Sequence, residues 1–242
     1  MAGYLGPALR PSEIVSRPVH SLLVQSYRPR EMQSGTVNAD GYGAALWLDD
    51  GVAAPAVYRT VAPIWADQNQ TWMNERLRVR SLIAAVRSAT PGIGFELANV
   101  QPFAHGRIAF AHNGFISDFR RGAQRALREK LGREAYESIQ GSSDSEHIFA
   151  LVLDAQGTLA ERVQKALARL EELDRTVIAT LLVGDGEQLV GARWAHRAKP
   201  ATLYMAPFGE GVCMASEPLD DERRWRELPP GEVVALRPGD LS

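Results

Sequence analysis

Residues 107–114 combine an apolar run with a polar ending whose residue types could stabilise a developing negative charge. The run is typical of a buried strand, and it is followed at once by His112, Asn113 and Gly114. Asn-Gly is a frequent turn pair, so one interpretation is that the strand simply ends in a turn. The other is that the Asn113 amide and the Gly114 N–H donate together to an oxyanion, which needs closely spaced, unhindered donors.

Four other polar clusters stand at the ends of apolar runs, and each contains Gly or Pro. They cover residues 1–6, 38–43, 86–92 and 141–146. Taken singly, each has a structural explanation: residues 38–41 form a turn, Arg87 ends a strand, and Asp144 caps a helix. Taken together and in this order, the five clusters indicate a chemical site more specifically than any one of them does.

These clusters resemble the class II, or N-terminal nucleophile, glutamine amidotransferases. The resemblance extends over nearly the whole chain and is carried by residues 24–27, 38–41, 62–65, 86–90, 101–103, 112–114 and 215–218. Within the family it is closest to the branch that hydrolyses γ-glutamyl-hercynylcysteine S-oxide in ergothioneine biosynthesis. The resemblance therefore implies an amidohydrolase with a small-molecule γ-glutamyl substrate, and neither a metal nor an organic cofactor.

The same resemblance assigns residues to the three polar groups of a γ-glutamyl amide: the α-carboxylate, the α-ammonium and the scissile carbonyl. Arg87 would pair with the α-carboxylate, because a guanidinium fork matches two carboxylate oxygens. Asp144 would pair with the α-ammonium group. Asn113 and the Gly114 N–H would hold the oxyanion formed from the scissile carbonyl.

Four more residues have supporting roles in this assignment. Thr90 would assist at the α-carboxylate. Asn38 and Asp40 belong to a turn that resembles the segment lining the family's nucleophile pocket. His112 is expected to position or pack rather than to act as a general base, because the base in this family is the free α-amine of the N-terminal residue.

The family's nucleophile is a cysteine that is exposed when the initiator Met is removed. We assign that role to position 2, and this chain has Ala2 there. A methyl group cannot attack a carbonyl, so we expect the chain to bind a γ-glutamyl compound and to turn it over negligibly. Cys213 is no substitute, because its apolar neighbours indicate a buried strand. Ala2 is consistent with an engineered Cys-to-Ala change or with a natural pseudoenzyme.

Other functions stay open at this point. The chain could hydrolyse glutamine or a different γ-glutamyl amide, or it could bind a γ-glutamyl metabolite without catalysis. The aromatic residues Trp65, Trp72 and Tyr42 could contact a trimethylated cation in the leaving group, or they could belong to the core.

Composition limits the classes of partner and the covalent links that the chain could form. The net charge of −2 over 242 residues argues against nucleic acid as a bulk partner. A single cysteine excludes an intramolecular disulfide. No apolar run approaches the ~20 residues of a membrane span, and no secretory signal is visible, so we expect a cytoplasmic protein that does not enter a membrane. The oligomeric state is open, with a homodimer among the options.

The order of predicted elements is strands, then helices, then strands again. Strands are predicted over residues 21–27, 43–48, 82–87, 107–114, 176–183 and 189–195, and helices over residues 119–130, 133–139, 145–153 and 158–173. No alternation of strand and helix is visible, which argues against a parallel sheet. The expected fold class is α+β: a single domain, residues 1–242, built as an N-terminal-nucleophile αββα sandwich.

Overall fold

The chain forms two antiparallel sheets with helices on their outer faces. A computed structural model describes residues 1–32, 35–88 and 96–241. The strands are β1 (Ala2–Leu9), β2 (Tyr42–Leu48), β3 (Ala56–Thr60), β4 (Val79–Val86), β5 (Phe103–His105), β6 (Ile108–Ile116), β7 (Val177–Gly184), β8 (Leu189–His196), β9 (Tyr204–Phe208), β10 (Gly211–Ala215), β11 (Arg226–Glu227) and β12 (Val233–Leu236). The helices are α1 (Ser12–Val15), α2 (Leu22–Tyr27), α3 (Gln68–Arg76), α4 (Gln124–Glu129), α5 (Arg133–Glu137), α6 (Asp144–Asp154) and α7 (Leu159–Glu171).

The first sheet has seven strands in the order β11-β9-β10-β1-β4-β2-β3, and the second has five in the order β12-β8-β7-β6-β5. Strand β1 lies between β10 and β4, so the first sheet joins the two ends of the chain. This arrangement confirms the α+β class and the two antiparallel sheets that the sequence predicted.

Three apolar clusters fill the layers. One packs α6 and α7 against the second sheet, around Phe110 and Ile148. One packs α1 and α2 against the first sheet, around Ile14 and Leu82. The third lies between the sheets and includes Leu5, Ile83 and Leu182. Side chains of neighbouring strand residues therefore alternate between a helix layer and the gap between the sheets.

The prediction of a strand over residues 21–27 was wrong, because this segment is helix α2. The Ser21 hydroxyl accepts a hydrogen bond from the Val24 N–H at 3.4 Å and caps the helix. A short apolar run satisfies either period, and here packing of Leu22 into the cluster beneath the first sheet favours the helix.

Of the two interpretations of Asn113-Gly114, the structure excludes the turn, since β6 continues through both residues to Ile116 in unbroken register with β7. The predicted helix over residues 119–130 is divided instead. A kinked segment, Phe119–Ala123, precedes α4, and Gly122 within it has a φ of 123°. In the parts of the chain that the structure describes, no helix is both long and apolar enough to cross a bilayer.

Candidate active site

A cavity of about 680 Å³ opens where the two sheets and the start of α6 meet. This volume suits a small molecule. The wall includes most of the residues that the sequence singled out, from four separate parts of the chain: Asn38, Arg87, His112, Asn113, Gly114 and Asp144. Thr90, the remaining carboxylate candidate, lies outside the described residues.

Arg87 follows the last residue of β4 and is held by the turn that contains Asp40. The Arg87 N–H donates to the Gly41 carbonyl, and the Asp40 N–H donates to the Arg87 carbonyl, both at 2.9 Å. Burial lowers the pKa of the guanidinium, while the carboxylates of Asp40 and Glu96 raise it. An arginine remains cationic under these conditions, so the cavity has a positive group at this end.

Asp40 thus supports Arg87 through the backbone and is not part of the described cavity wall. Asn38 does line the cavity and is tied to α2. Its N–H donates to the Ser26 carbonyl at 2.6 Å, and its side-chain amide donates to the Gln25 carbonyl at 3.3 Å. The 38–41 turn therefore connects α2 to the end of β4, as a supporting element would.

Gly114 occupies a backbone conformation that few other residues could adopt. Its φ is 134°, and a Cβ built on it would lie 1.9 Å from the carbonyl oxygen of Ile178 on β7. The position therefore brings the β6 backbone close to its neighbour while Asn113, one residue earlier, faces the cavity. A side-chain amide and a glycine backbone stand next to each other on the wall, as an oxyanion site requires.

His112 is fixed by hydrogen bonds at both ring nitrogens. Nε2 lies 3.0 Å from the Ile178 carbonyl, which can only accept, so Nε2 carries the proton. Nδ1 then accepts from the Ser145 hydroxyl at 2.9 Å. Burial lowers the pKa of His112, so the ring is neutral at pH 7. With both nitrogens in use, this geometry fits positioning of β6 rather than proton abstraction.

Gln101 also positions this strand, and sequence analysis gave it no role. Its amide nitrogen donates to the His112 carbonyl at 3.0 Å, and its amide oxygen accepts from the His112 N–H at 2.5 Å. The side chain thereby replaces a strand partner for the residue just before Asn113. The signal was present, because Gln101 lies within one of the segments that carried the family resemblance.

Asp144 is buried at the first turn of α6 with its carboxylate held in place by backbone N–H groups. One oxygen accepts from the Ile116 N–H and the other from the Ser145 N–H, both at 2.8 Å. Each carboxylate oxygen can accept more than one hydrogen bond, so Asp144 retains acceptor capacity for a cation in the cavity. Its distance from Arg87 in the sequence is 57 residues, yet both lie on one wall.

The cavity also includes an acidic residue that sequence analysis passed over. The Glu217 carboxylate accepts from the Arg30 N–H at 2.8 Å and the Glu31 N–H at 3.2 Å, and it lies 2.7 Å from His20 Nε2. These bonds hold the chain after α2 against the cavity. Glu217 too lies in a segment that resembles the family.

The structure does not bring Ala2 to this wall. Within the described residues, Met1 lines the cavity and Ala2 does not. The Ala2 side chain is fully buried among residues that face α1 and α2, together with Tyr4 and Ala84. The Met1 amine donates to the Ser216 hydroxyl at 2.9 Å, and burial lowers its pKa to about 5.

The three aromatic candidates for the leaving group are placed elsewhere. Tyr42 is buried in the layer beneath the first sheet. Trp65 is packed edge-on against Tyr27, with ring centroids 6.2 Å apart, and Trp72 lies exposed beside Arg76. None of the three belongs to the described cavity wall. Their positions favour the core interpretation for Tyr42 and a surface role for the two tryptophans.

Among the described residues, no group of three or more His, Cys, Asp or Glu side chains could hold a metal ion. Cys213 is buried on β10, and burial raises its pKa. A thiol in this state is a poor nucleophile. The groups in the cavity suit recognition of a zwitterion and stabilisation of an oxyanion.

His147, one turn into α6, makes stability depend on pH. Its Nδ1 lies 2.7 Å from the Ser143 carbonyl, its Nε2 accepts from Arg128 at 2.8 Å, and burial lowers its pKa to about 4. The unfolded chain binds this proton near pH 6.5, so stability is complete above that pH and falls towards pH 4. We expect His147 to lower the free energy of unfolding by up to about 3 kcal/mol as the pH falls from 6.5 to 4.

Urea unfolding at pH 7, 6, 5 and 4.5 would measure this dependence. His147→Gln should flatten the decline relative to the parent protein. Equal slopes for His147→Gln and the parent would contradict the assignment.

Comparisons with known proteins agree with this geometry. A family model described as glutamine amidotransferases class-II matches residues 17–212. The chain is 33% identical over 234 residues to the γ-glutamyl-hercynylcysteine sulfoxide hydrolase of Mycolicibacterium smegmatis, covering 97% of this chain and 93% of that protein. It is 34% identical to the protein of the same name from Mycobacterium tuberculosis, with 97% and 91% covered.

A solved structure from Silicibacter pomeroyi, described as a glutamine aminotransferase class-II domain protein, superposes with a TM-score of 0.72. The two sequences are 22% identical, and 98% of this chain and 94% of that one are covered. This likeness concerns the fold.

Proposed function

We propose that this chain, which belongs to the class II glutamine amidotransferase family, has a site for cleaving the γ-glutamyl amide of γ-glutamyl-hercynylcysteine S-oxide. The products would be glutamate and hercynylcysteine S-oxide. The observation that carries the proposal is the meeting of Arg87, Asp144 and the Asn113-Gly114 pair in one cavity. The names of the two mycobacterial relatives support this particular substrate.

The charges in the cavity fit the glutamyl half of the substrate. A γ-glutamyl group carries one carboxylate and one ammonium on its α-carbon. Arg87 offers the carboxylate a planar pair of donors, and Asp144 offers the ammonium an anchored carboxylate. The Asp144 carboxylate is held by the Ile116 and Ser145 N–H groups, and the Arg87 backbone is held by the 38–41 turn, which limits the ordering required when the ligand binds.

The scissile carbonyl would then face β6. As it becomes tetrahedral, its oxygen takes on negative charge and needs donors that are already in place. The Asn113 amide and the Gly114 backbone stand on that wall, and the His112 and Gln101 contacts hold the strand that carries both.

We further propose that residues 1–242 form one domain. The first sheet supports this, because β1 pairs with β10 from the far end of the chain and with β4 from the first half. A buried and unpaired Cys213 fits a reducing compartment such as the cytoplasm.

Neither Met1 nor Ala2 has a nucleophilic side chain, so we expect the 242-residue chain to bind substrate without appreciable turnover. Titration calorimetry with γ-glutamyl-hercynylcysteine S-oxide would measure binding. Replacing Arg87 with Gln should weaken it by about 10- to 150-fold, the equivalent of losing a charged hydrogen-bonded contact. The affinity of Arg87→Lys should lie between those of the parent and Arg87→Gln, because a lysine ammonium keeps the positive charge but lacks the paired donors of the guanidinium.

Arg125→Gln is the matched control, since Arg125 is an exposed helix residue paired with Glu129. Its variant should bind like the parent. Glutamine and glutathione, titrated beside the main ligand, separate the alternatives. Preference for either would move the proposal to another γ-glutamyl substrate, and no binding of any of the three would overturn it. Rapid glutamate release by the 242-residue chain would contradict the expected inactivity.

A further inference from the structure

The register of β1 determines where an attacking side chain must stand. Ala2 lies opposite Ala84 of β4 in the antiparallel ladder, and Gly3 lies opposite Ile83. Strand β4 runs on past Ala84 to Val86, and Arg87 follows it directly into the cavity. Residue 2 is therefore three ladder positions away from Arg87. At ~3.3 Å per residue, this separation is roughly 10 Å along the strand.

The face of the strand also excludes residue 2. Met1 and Leu5 belong to the cluster between the sheets, and a Cβ on Gly3 would meet Leu189 and Leu182 of the opposite sheet. Ala2 and Tyr4 point the other way, into the helix layer. Since Asn113 follows Ala111 by two residues on β6, and Ala111 faces the gap between the sheets, an attacking group must stand on the Met1 face.

These two conditions select one position. The paired register begins with Ala2 opposite Ala84. Extending it backwards would place Met1 opposite Ala85, the preceding residue opposite Val86 and the one before that opposite Arg87. Alternation places the second of these on the Met1 face, towards Asn113 and Gly114. A backbone that continues from the Met1 nitrogen passes Ser216 and enters the cavity.

We infer that the attacking side chain of this site belongs two residues before Met1 along β1, opposite Arg87, and that a cysteine at residue 2 cannot replace it. The inference rests on the proposed γ-glutamyl hydrolysis and corrects our assignment of the nucleophile to position 2. A thiol at the inferred position would add through sulfur to the γ-carbonyl carbon, and its proton would pass to the leaving amine as the C–N bond breaks. Water would then cleave the γ-glutamyl thioester, releasing glutamate and restoring the thiol.

Removing Met1 to expose residue 2 would not bring residue 2 into the cavity. The Met1 carbonyl accepts from the Ser216 N–H at 2.9 Å, and its amine donates to the Ser216 hydroxyl. Loss of Met1 deletes both bonds and ends the strand still further from Arg87. Ala2→Cys would also introduce a thiol into a tightly packed layer in which Ala2 has no exposed surface.

The test compares two placements of the same thiol. One variant has a Cys-Gly dipeptide fused directly before Met1, and its matched control has Ala-Gly there. The other variant is Ala2→Cys with Met1 removed. Mass spectrometry confirms each N-terminus and searches for a γ-glutamyl adduct, while glutamate release from γ-glutamyl-hercynylcysteine S-oxide reports turnover.

We expect the Cys-Gly chain to release glutamate at least 1000-fold faster than the Ala-Gly chain, and Ala2→Cys to stay at the control rate. Turnover or an adduct with Ala2→Cys alone would overturn the inference. Calorimetry on the Ala-Gly chain separates the two failures. If that chain binds substrate and neither thiol variant reacts, the register inference fails. If it does not bind, the proposed function fails.

Discussion

Replacing Asn113 with Ala is expected to lower kcat for γ-glutamyl hydrolysis by about 100- to 1000-fold, measured in the Cys-Gly extended chain. Loss of one oxyanion donor typically raises the barrier by about 2.7–4 kcal/mol. The substrate should bind almost as well as before, because the donor acts on charge that develops only in the transition state. Stopped-flow or coupled assays of glutamate release would give kcat and KM separately.

Asn69→Ala is a suitable control, since Asn69 is an exposed residue on α3 that does not belong to the described cavity wall. Asn113→Asp adds a second arm: the side chain keeps its size but loses the N–H donor and gains a negative charge, so kcat should fall at least as far. A variant whose KM rises while kcat is unchanged would show that Asn113 binds the ground state and is not an oxyanion donor.

Gly114→Ala is expected to destabilise the protein by about 4 kcal/mol or more, a loss that few single substitutions cause. The added Cβ would lie 1.9 Å from the Ile178 oxygen and 2.6 Å from its carbonyl carbon, and both atoms are backbone of the neighbouring strand. Neither can turn aside as a side chain would. For a chain of this size, thermal unfolding should shift by roughly 10 °C or more.

Gly106→Ala provides the matched control, because Gly106 lies in the turn that leads into the same strand. It too has a positive φ, of 56°, but no atom lies within 4 Å of its added Cβ. Gly106→Ala should lower the free energy of unfolding by about 1 kcal/mol, which is the effect of a left-handed backbone conformation alone. Similar losses for the two variants would mean that backbone strain, and not the contact with Ile178, makes Gly114 necessary.

The site candidates Arg87, Asp144 and Asn113-Gly114 could be proposed from the sequence because they fall in segments that resemble one family. Residue type and neighbours alone leave each of them a structural explanation as well, and their roles stay predictions. The longest elements could be predicted because their signals are local. Helix α7 begins with a Thr158–Glu161 capping box, and β7 and β8 flank a Gly-Asp-Gly turn.

The errors fall where a residue's surroundings come from distant parts of the chain. Residues 21–27 have the composition of a strand, and only the layer beneath the first sheet makes them a helix. The sequence left Trp65 and Trp72 open between a cation site and the core, and the path of the chain places both on the outer surface.

The sequence by itself determined the family, the two antiparallel sheets and six of the candidate residues that line the cavity. Only the tertiary structure decided which way each strand residue faces. One step along a strand reverses the side chain, so Ala2 and Met1 point into different layers although they are neighbours. That choice depends on the pairing of β1 with β4 and β10, which residues 1–9 cannot specify alone. The two hydrogen bonds between the Gln101 side chain and the His112 backbone, and the close approach of Gly114 to Ile178, likewise depend on how distant segments of the chain pair.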